Sequence, residues 1–225
     1  MFRPIVWKII ACCLCFLCWF PAGAWAKSLA SRLDRYPDWD NFPMLTAVQG
    51  SDDLVYPQWM AGTWKVTSIL TAQVAPFAPD VVTPGFENNR KLIGQPFTFL
   101  VKFQPQQTFI TQAFTLPTVL SGSRPIVADR AFNGLAIAQA YLGENGVKAV
   151  KTDPNNPNRQ LTRLNNNQTL ISTVTGRATE YLSDTEFLSS EMTQQQFRGA
   201  PQLYLNQVET TTKYRQNSVA DITAD

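Results

Sequence analysis

From Gly62 onward the chain alternates. In "GTWKVTSIL", Trp64, Val66, Ser68 and Leu70 fall on one face of an extended segment, and Lys65 and Thr67 on the other. A period of two is what a half-buried antiparallel strand requires. The pattern recurs in "PFTFLVKFQPQQTFITQAFTL", where Phe97, Phe99, Val101 and Phe103 alternate with Thr98, Leu100 and Lys102. Gln104–Gln107 turn the chain and Thr108–Leu116 return, which predicts a hairpin. The C-terminal half reads as a meander. Val147–Asp153 is followed by the turn "PNNPN", Gln160–Leu164 and the turn "NNNQ". Three longer Thr-rich, β-branched strands then span Thr169–Leu182, Phe187–Phe197 and Leu203–Arg215. The polar tail, residues 219–225, offers one further edge strand.

Between these strands the pattern is weaker. "TAQVAPFAPDVVTPGFENNRKLIGQP" is proline-punctuated and fits no regular element, and "PTVLSGSRPIVADR" reads as a second loop. Long connections of this kind often serve as lids or binding loops. "DRAFNGLAIAQAYLG" reads two ways: a helix ended by Gly143, or two short strands around Asn133-Gly134. Its alanines, leucine and glutamine favour the helix. Residues 27–55 form an irregular N-terminal arm, with a short helix expected near Leu29–Leu33, and with Trp39, Phe42, Met44 and Leu45 expected to dock on the main domain.

Eight or nine strands joined mostly by short turns predict a mainly β, single antiparallel barrel with one short helix and long loops. The barrel domain is expected over 56–218. The stretch "YPQWMAGTWKVTSIL" resembles the first strand of the lipocalin and calycin superfamily in its Gly-x-Trp, here Gly62 and Trp64. That resemblance implies that Trp64 plugs the closed end of the barrel. It also implies that a basic side chain of the last long strand, Arg215 or Lys213, packs over it, and that the long loop after the first strand covers the open end. A wider resemblance rests on "VADRAFN", "AYLG", "NPNR", "TGRATE", "SSEMTQQQFRG" and "VETTTKY". These motifs are similar to those of a family of unknown function in cyanobacteria and plant plastids, with exported or lumenal members. That family implies a single β-rich domain and a compartment, and it brings no catalytic residues.

Composition changes this picture at the N-terminus. Arg3 and Lys8 precede an apolar run, Ile9–Phe20, and Ala24-Trp25-Ala26 is a small-x-small cleavage site, so residues 1–26 read as a secretory signal peptide. The apolar run is shorter than the roughly 20 residues a spanning helix needs. No transmembrane helix is therefore expected after cleavage, and the expected location is the thylakoid lumen or periplasm. All four cysteines, Cys12, Cys13, Cys15 and Cys18, lie in this segment, and the chain has no histidine. A core rather than disulfides must then hold the domain. Removal of Arg3 and Lys8 leaves basic and acidic side chains balanced, so nucleic-acid binding has no electrostatic footing.

Without Cys or His the expected domain has no Ser-His-Asp or Cys-His site, no usual zinc ligands and no His-ligated haem. No cofactor, no metal and no enzymatic activity are expected, and the protein is expected to be a monomer. What remains is charge placed in or beside strands: Arg130, Arg177, Glu180, Glu191, Glu209 and Lys213. Glu180 is expected to share a face with Val174, Gly176, Ala178 and Leu182, and Glu209 and Lys213 with Leu203 and Leu205. An apolar face that turns charged near one end fits a polar rim for a ligand headgroup. It fits better still a set of cross-strand ion pairs of opposite charge. The sequence thus favours a non-enzymatic, calycin-like binding protein for a small apolar or amphipathic molecule, a lipid or pigment. Its rival is a docking or assembly factor for a photosynthetic membrane complex on the lumenal side.

Overall fold

The computed structural model of the chain describes residues 28–35, 45–48, 52–74, 84–106, 124–165, 167–199 and 204–225. The signal segment, Trp39, Phe42, Met44 and the return strand Thr108–Leu116 lie outside the described residues.

The fold is mainly β. β5 (Val147–Asp153), β6 (Asn156–Leu164), β7 (Thr169–Ser183), β8 (Glu186–Arg198), β9 (Tyr204–Ser218) and β10 (Asp221–Ala224) form an antiparallel meander in spatial order β10-β9-β8-β7-β6-β5. Two-residue turns, Pro154-Asn155, Asp184-Thr185 and Val219-Ala220, join three of the pairs, and such turns fix register. β1 (Thr46–Ala47) adds to β7 beyond the end of β6, completing seven strands. The sheet curls into a half-barrel. β2 (Gly62–Ile69), β3 (Pro96–Pro105) and β4 (Ile126–Ala128) form a second antiparallel sheet.

Side-chain packing, rather than a ladder, joins the two sheets among the described residues. Leu54, Tyr56, Met60, Phe103, Ile126 and Phe187 form one buried cluster, with Trp64, Val101, Tyr214 and Ile222 against it. The rings of Tyr56 and Phe103 meet edge to face at 4.7 Å. The alternation of β2 is realised as expected. Trp64, Val66 and Ser68 are half-buried, while Thr63, Lys65, Thr67 and Ile69 are exposed.

Three local expectations are corrected. The proline-rich connection contains α2 (Pro84–Arg90). Pro84 suits the first helical position, where no N–H is needed, and Glu87 pairs with Arg90 one turn on. The second loop contains β4. The turn "PNNPN" shrinks to Pro154-Asn155, and β6 begins at Asn156. Between Thr152↔Gln160 and Asp153↔Asn156 the register shifts, so Pro157 sits in a bulge where its missing N–H costs no ladder bond.

Of the two readings left open for residues 130–143, the helix is adopted as α3 (Arg130–Leu142). Asp129 caps it by accepting from the Phe132 N–H, and Gly143 ends it at φ 77°. α3 packs on β3, β5 and β6. The Asn133 amide accepts from the Lys102 N–H and donates to its carbonyl, taking a strand's place on the β3 edge. The opposite face of the large sheet carries α1 (Ala30–Asp34). The Ser28 hydroxyl and the Leu29 N–H both donate to Glu180 of β7, and Arg32 pairs with Glu209 of β9. Between these anchors, Leu188 and Ser190 of β8 are fully buried. Leu45 docks beside Gly176 so closely that a Cβ there would lie 3.1 Å from the Leu45 Cβ.

Candidate functional site

One register irregularity decides which side chains face the interior. In β7, Val174 is opposite Thr193 and Gly176 is opposite Met192, so Thr175 is an extra residue. The bulge reverses the parity of β7. Val174 therefore shares a face with Arg177, contrary to the expectation that it would share one with Glu180 and Gly176.

The inner face, toward β2–β4 and α3, is then ordered in cross-strand rows. At one end Tyr181, Phe187 and Tyr214 stand in register, with Phe187 fully buried and Tyr181 exposed, followed by Thr179, Ser189 and Thr212. Next come Arg177, Glu191 and Thr210, and beyond the bulge Val174, Thr193 and Val208. A row of amides and a hydroxyl follows: Gln160, Ser172, Gln195 and Asn206. Thr162, Leu170, Phe197 and Tyr204 make the last row, where Phe197 and Tyr204 meet edge to face at 5.6 Å and Tyr204 is 52% exposed. The Asn206 Oδ1 is buried without a hydrogen-bond partner among the described residues. Gln160 lies under α3 at Gly134, where an added Cβ would be 2.6 Å from the Gln160 Nε2.

Arg130, Arg177 and Glu191, three of the expected charged residues, meet on this face. Arg130 is the first residue of α3. Its Nη2 donates to Asp53 at 2.8 Å and to Glu191 at 3.0 Å. Arg177 donates from Nη2 to Glu191 at 2.6 Å and to the Asn158 Oδ1 at 2.7 Å, and from Nη1 to the Asp52 carbonyl at 2.9 Å. Asn158 donates in turn to the same carbonyl. Every member of the ion set is largely buried, with side-chain exposures of 9% for Asp53, 12% for Arg177, 16% for Arg130 and 18% for Glu191. Burial works to raise the Glu191 pKa, but the two guanidinia outweigh it and hold the carboxyl below its ordinary value. The Arg130 guanidinium is opposed by burial and held charged by Glu191 and Asp53. Burial pushes the Tyr56 and Tyr214 hydroxyls up.

The other three do not join them. Glu180, Glu209 and Lys213 point to the opposite face, so the six residues form no common rim. Glu180 and Glu209 anchor the N-terminal arm, Glu209 also accepting from Ser190 and Thr211. Lys213 pairs with Glu186 at 3.5 Å. Arg215 does not cover Trp64. Its Nε donates to Glu186 at 2.6 Å on the outer face, and Tyr214, one residue earlier, is the side chain of β9 that reaches the Trp64 cluster. The Trp64 indole donates to the Met60 carbonyl at 2.8 Å. Gly62 holds φ 133°, which side-chain-bearing residues rarely adopt.

Sequence reasoning missed Asp53, Asn158 and the amide row. The signal for the row was present in "TQQQF", a polar run inside a long strand, and for Asp53 in "DDL" just before the buried Tyr56. The segment from residue 52 through β10 thus supplies the core and the whole inner site. This chain belongs to the family described as a domain of unknown function (DUF6816), whose model matches residues 48–225. Neither the comparison with curated proteins nor that with solved structures gives a match. Among the described residues no helix is long and apolar enough to cross a membrane, and no cluster of acidic side chains is arranged to hold a metal.

Proposed function

We propose that this protein is a non-enzymatic, calycin-like binding protein that holds a small amphipathic molecule on the inner face of its half-barrel. The observation that carries the reading is the gradient along that face. The buried Phe187 and Tyr214 stand toward one end, ions and amides fill the middle, and the half-exposed Phe197 and Tyr204 mark the other end. Apolar walls with a few placed polar groups are what small-molecule sites use. The unpartnered Asn206 Oδ1 lies within the amide row and supplies an acceptor for a hydroxyl or amine. The ion set favours positioning over catalysis. Glu191 is clamped by two guanidinia and held ionised, the opposite of the raised pKa of a general acid. The family resemblance and the N-terminal segment support an exported protein of the thylakoid lumen or periplasm, in cyanobacteria and plastids.

Native mass spectrometry of the protein as isolated from its own cells tests this. The expected result is a bound mass of a few hundred daltons, released on denaturation and lost in an Asn206→Leu variant that keeps its fold. A bare protein mass, with no small molecule in the denatured extract, refutes it. The rival reading, a docking factor for a membrane complex, draws on the exposed α3 residues Phe132, Ile137, Tyr141 and Leu142. Cross-linking from α3 to a membrane protein would favour that rival.

A further inference from the structure

The outer face of the large sheet carries a second feature, remote from the inner rows. A hollow of about 350 Å³ opens over β5 and β6, lined by Ala149, Lys151, Asp153, Pro154, Leu161 and Arg163 among others. Register places Lys151 opposite Leu161 and Ala149 opposite Arg163, so the two cations stand diagonally across adjacent strands. Arg163 continues in register through Thr169 to Arg198 of β8. Lys151, Arg163 and Arg198 are exposed. Among the described residues no carboxylate pairs with any of the three. Asp153, the acid at the edge of the hollow, is taken by Arg159 at 3.4 Å. Arg198 donates only to the neutral Gln196 amide.

Within the large sheet Arg159, Arg177, Lys213 and Arg215 each have a carboxylate partner. Exposed cations elsewhere, such as Lys65 and Lys91, also lack one among the described residues, so what singles out Lys151, Arg163 and Arg198 is that they share one end of one face. Three free cations at one end of one face therefore leave a local positive surface on a chain of near-neutral overall charge. The floor between them, Ala149, Leu161 and Pro154, is apolar. Free cations beside an apolar floor in an open hollow match a tethered anion that brings apolar matter with it.

We propose that this hollow seats the anionic headgroup of a membrane lipid, bringing the end of the outer face that carries Lys151, Arg163 and Arg198 against an anionic bilayer surface. The headgroup anion lies between Lys151 and Arg163, its apolar part covers Leu161 and Ala149, and Arg198 contacts a neighbouring headgroup. Juxtamembrane basic residues are each worth about fivefold in partitioning to an anionic surface.

Vesicle flotation tests the proposal with the protein as isolated. The probes are phosphatidylcholine vesicles and the same vesicles with phosphatidylglycerol added. The readout is the ratio of anionic to neutral partitioning, which cancels any contribution from an apolar segment. The expected ratio is well above one for the wild type. It falls about fivefold in Arg163→Gln and on the order of a hundredfold in the triple variant Lys151→Gln/Arg163→Gln/Arg198→Gln. All three are surface positions, so the melting temperature stays unchanged. Lys65→Gln, an exposed cation on β2, serves as the control for bulk charge and leaves the ratio intact. A wild-type ratio of one overturns the proposal. So does an equal loss in Lys65→Gln, which would mean diffuse charge rather than this hollow. Complete displacement from anionic vesicles by inorganic phosphate at constant ionic strength would mean a free-anion site, and also overturns it.

Discussion

Glu191→Gln is the most informative substitution in the ion set. Glutamine keeps the shape and one acceptor oxygen but removes the charge between two guanidinia. Asp53 then stands as the carboxylate left to Arg130, and Arg177 keeps only neutral acceptors, among them the Asn158 Oδ1 and the Asp52 carbonyl. Breaking one partner of a buried pair costs about 3–5 kcal/mol, because an uncompensated charge stays behind. The residual acceptors around Arg177 place this case at the lower end, about 3 kcal/mol. For a domain of this size each kcal/mol is worth about 2–4 °C, so the melting temperature at neutral pH should fall by about 6–12 °C.

The pH dependence supplies the check. The folded pKa of Glu191 is depressed below its ordinary value of 4.5. Its contribution is therefore fully present above about pH 4.5 and is lost as pH falls through the lower folded value. Protonated Glu191 resembles glutamine in charge, so the wild-type and Glu191→Gln melting curves should converge in acid and stand fully apart above about pH 4.5. Differential scanning calorimetry from neutral pH into acid reads both. A neutral-pH shift of less than about 1 °C, or a gap that does not close in acid, would refute the assignment of this set as a buried, mutually dependent network.

Trp64→Ala removes a half-buried indole and its bond to the Met60 carbonyl, and should cost about 2–4 kcal/mol in chemical denaturation. An unchanged midpoint would remove Trp64 from the core. Arg32→Ala leaves Glu209 with only Ser190 and Thr211 as donors. It should cost about 2 kcal/mol and expose residues 28–35 to limited proteolysis, and unchanged cleavage would mean that the arm is held elsewhere. Gly134→Ala gains roughly 1 kcal/mol in helix propensity but pushes the Gln160 amide aside. The melting temperature should stay near wild type while any small molecule bound on the inner face is lost, and retention of that molecule would separate Gln160 from the site.

Much of the strand map was legible because the meander obeys one rule throughout. Short turns join β-branched, Thr-rich runs, and β5, β7, β8 and β9 appear within a few residues of their expected limits. The missed elements are those in which local chemistry outweighs pattern. α2 depends on a proline at a permitted position, β4 on a three-residue pairing with β3, and the start of β6 on a bulge that shelters Pro157. None of these leaves a periodic trace. The N-terminal arm was legible only in outline, since Arg32–Glu209 and Ser28–Glu180 join residues far apart in sequence.

The candidate site shows most clearly why face assignments need register as well as pattern. Strict alternation from Leu182 backward puts Glu180, Ala178, Gly176 and Val174 together. The extra residue Thr175 breaks that chain of inference after Gly176 and sends Val174 inward beside Arg177. The same parity argument separates Tyr214 from Arg215. A basic cover for Trp64 would need Arg215 to face inward, yet its partner Glu186 lies outward of Phe187 on β8, and Tyr214 takes the inner place. The two faces consequently carry different chemistry from neighbouring positions in sequence. Inward, Arg177 and Glu191 are locked with Arg130, and in the amide row the Asn206 Oδ1 is left without a partner among the described residues. Outward, Glu180 and Glu209 are consumed by the arm, and Lys151, Arg163 and Arg198 are left without a carboxylate partner among the described residues. A ligand that competed for Arg177 would have to break four hydrogen bonds, whereas one that meets Asn206 or Arg163 breaks none to a carboxylate. The unpartnered groups, rather than the charged residues most conspicuous in the sequence, are therefore where this molecule has binding free energy to offer.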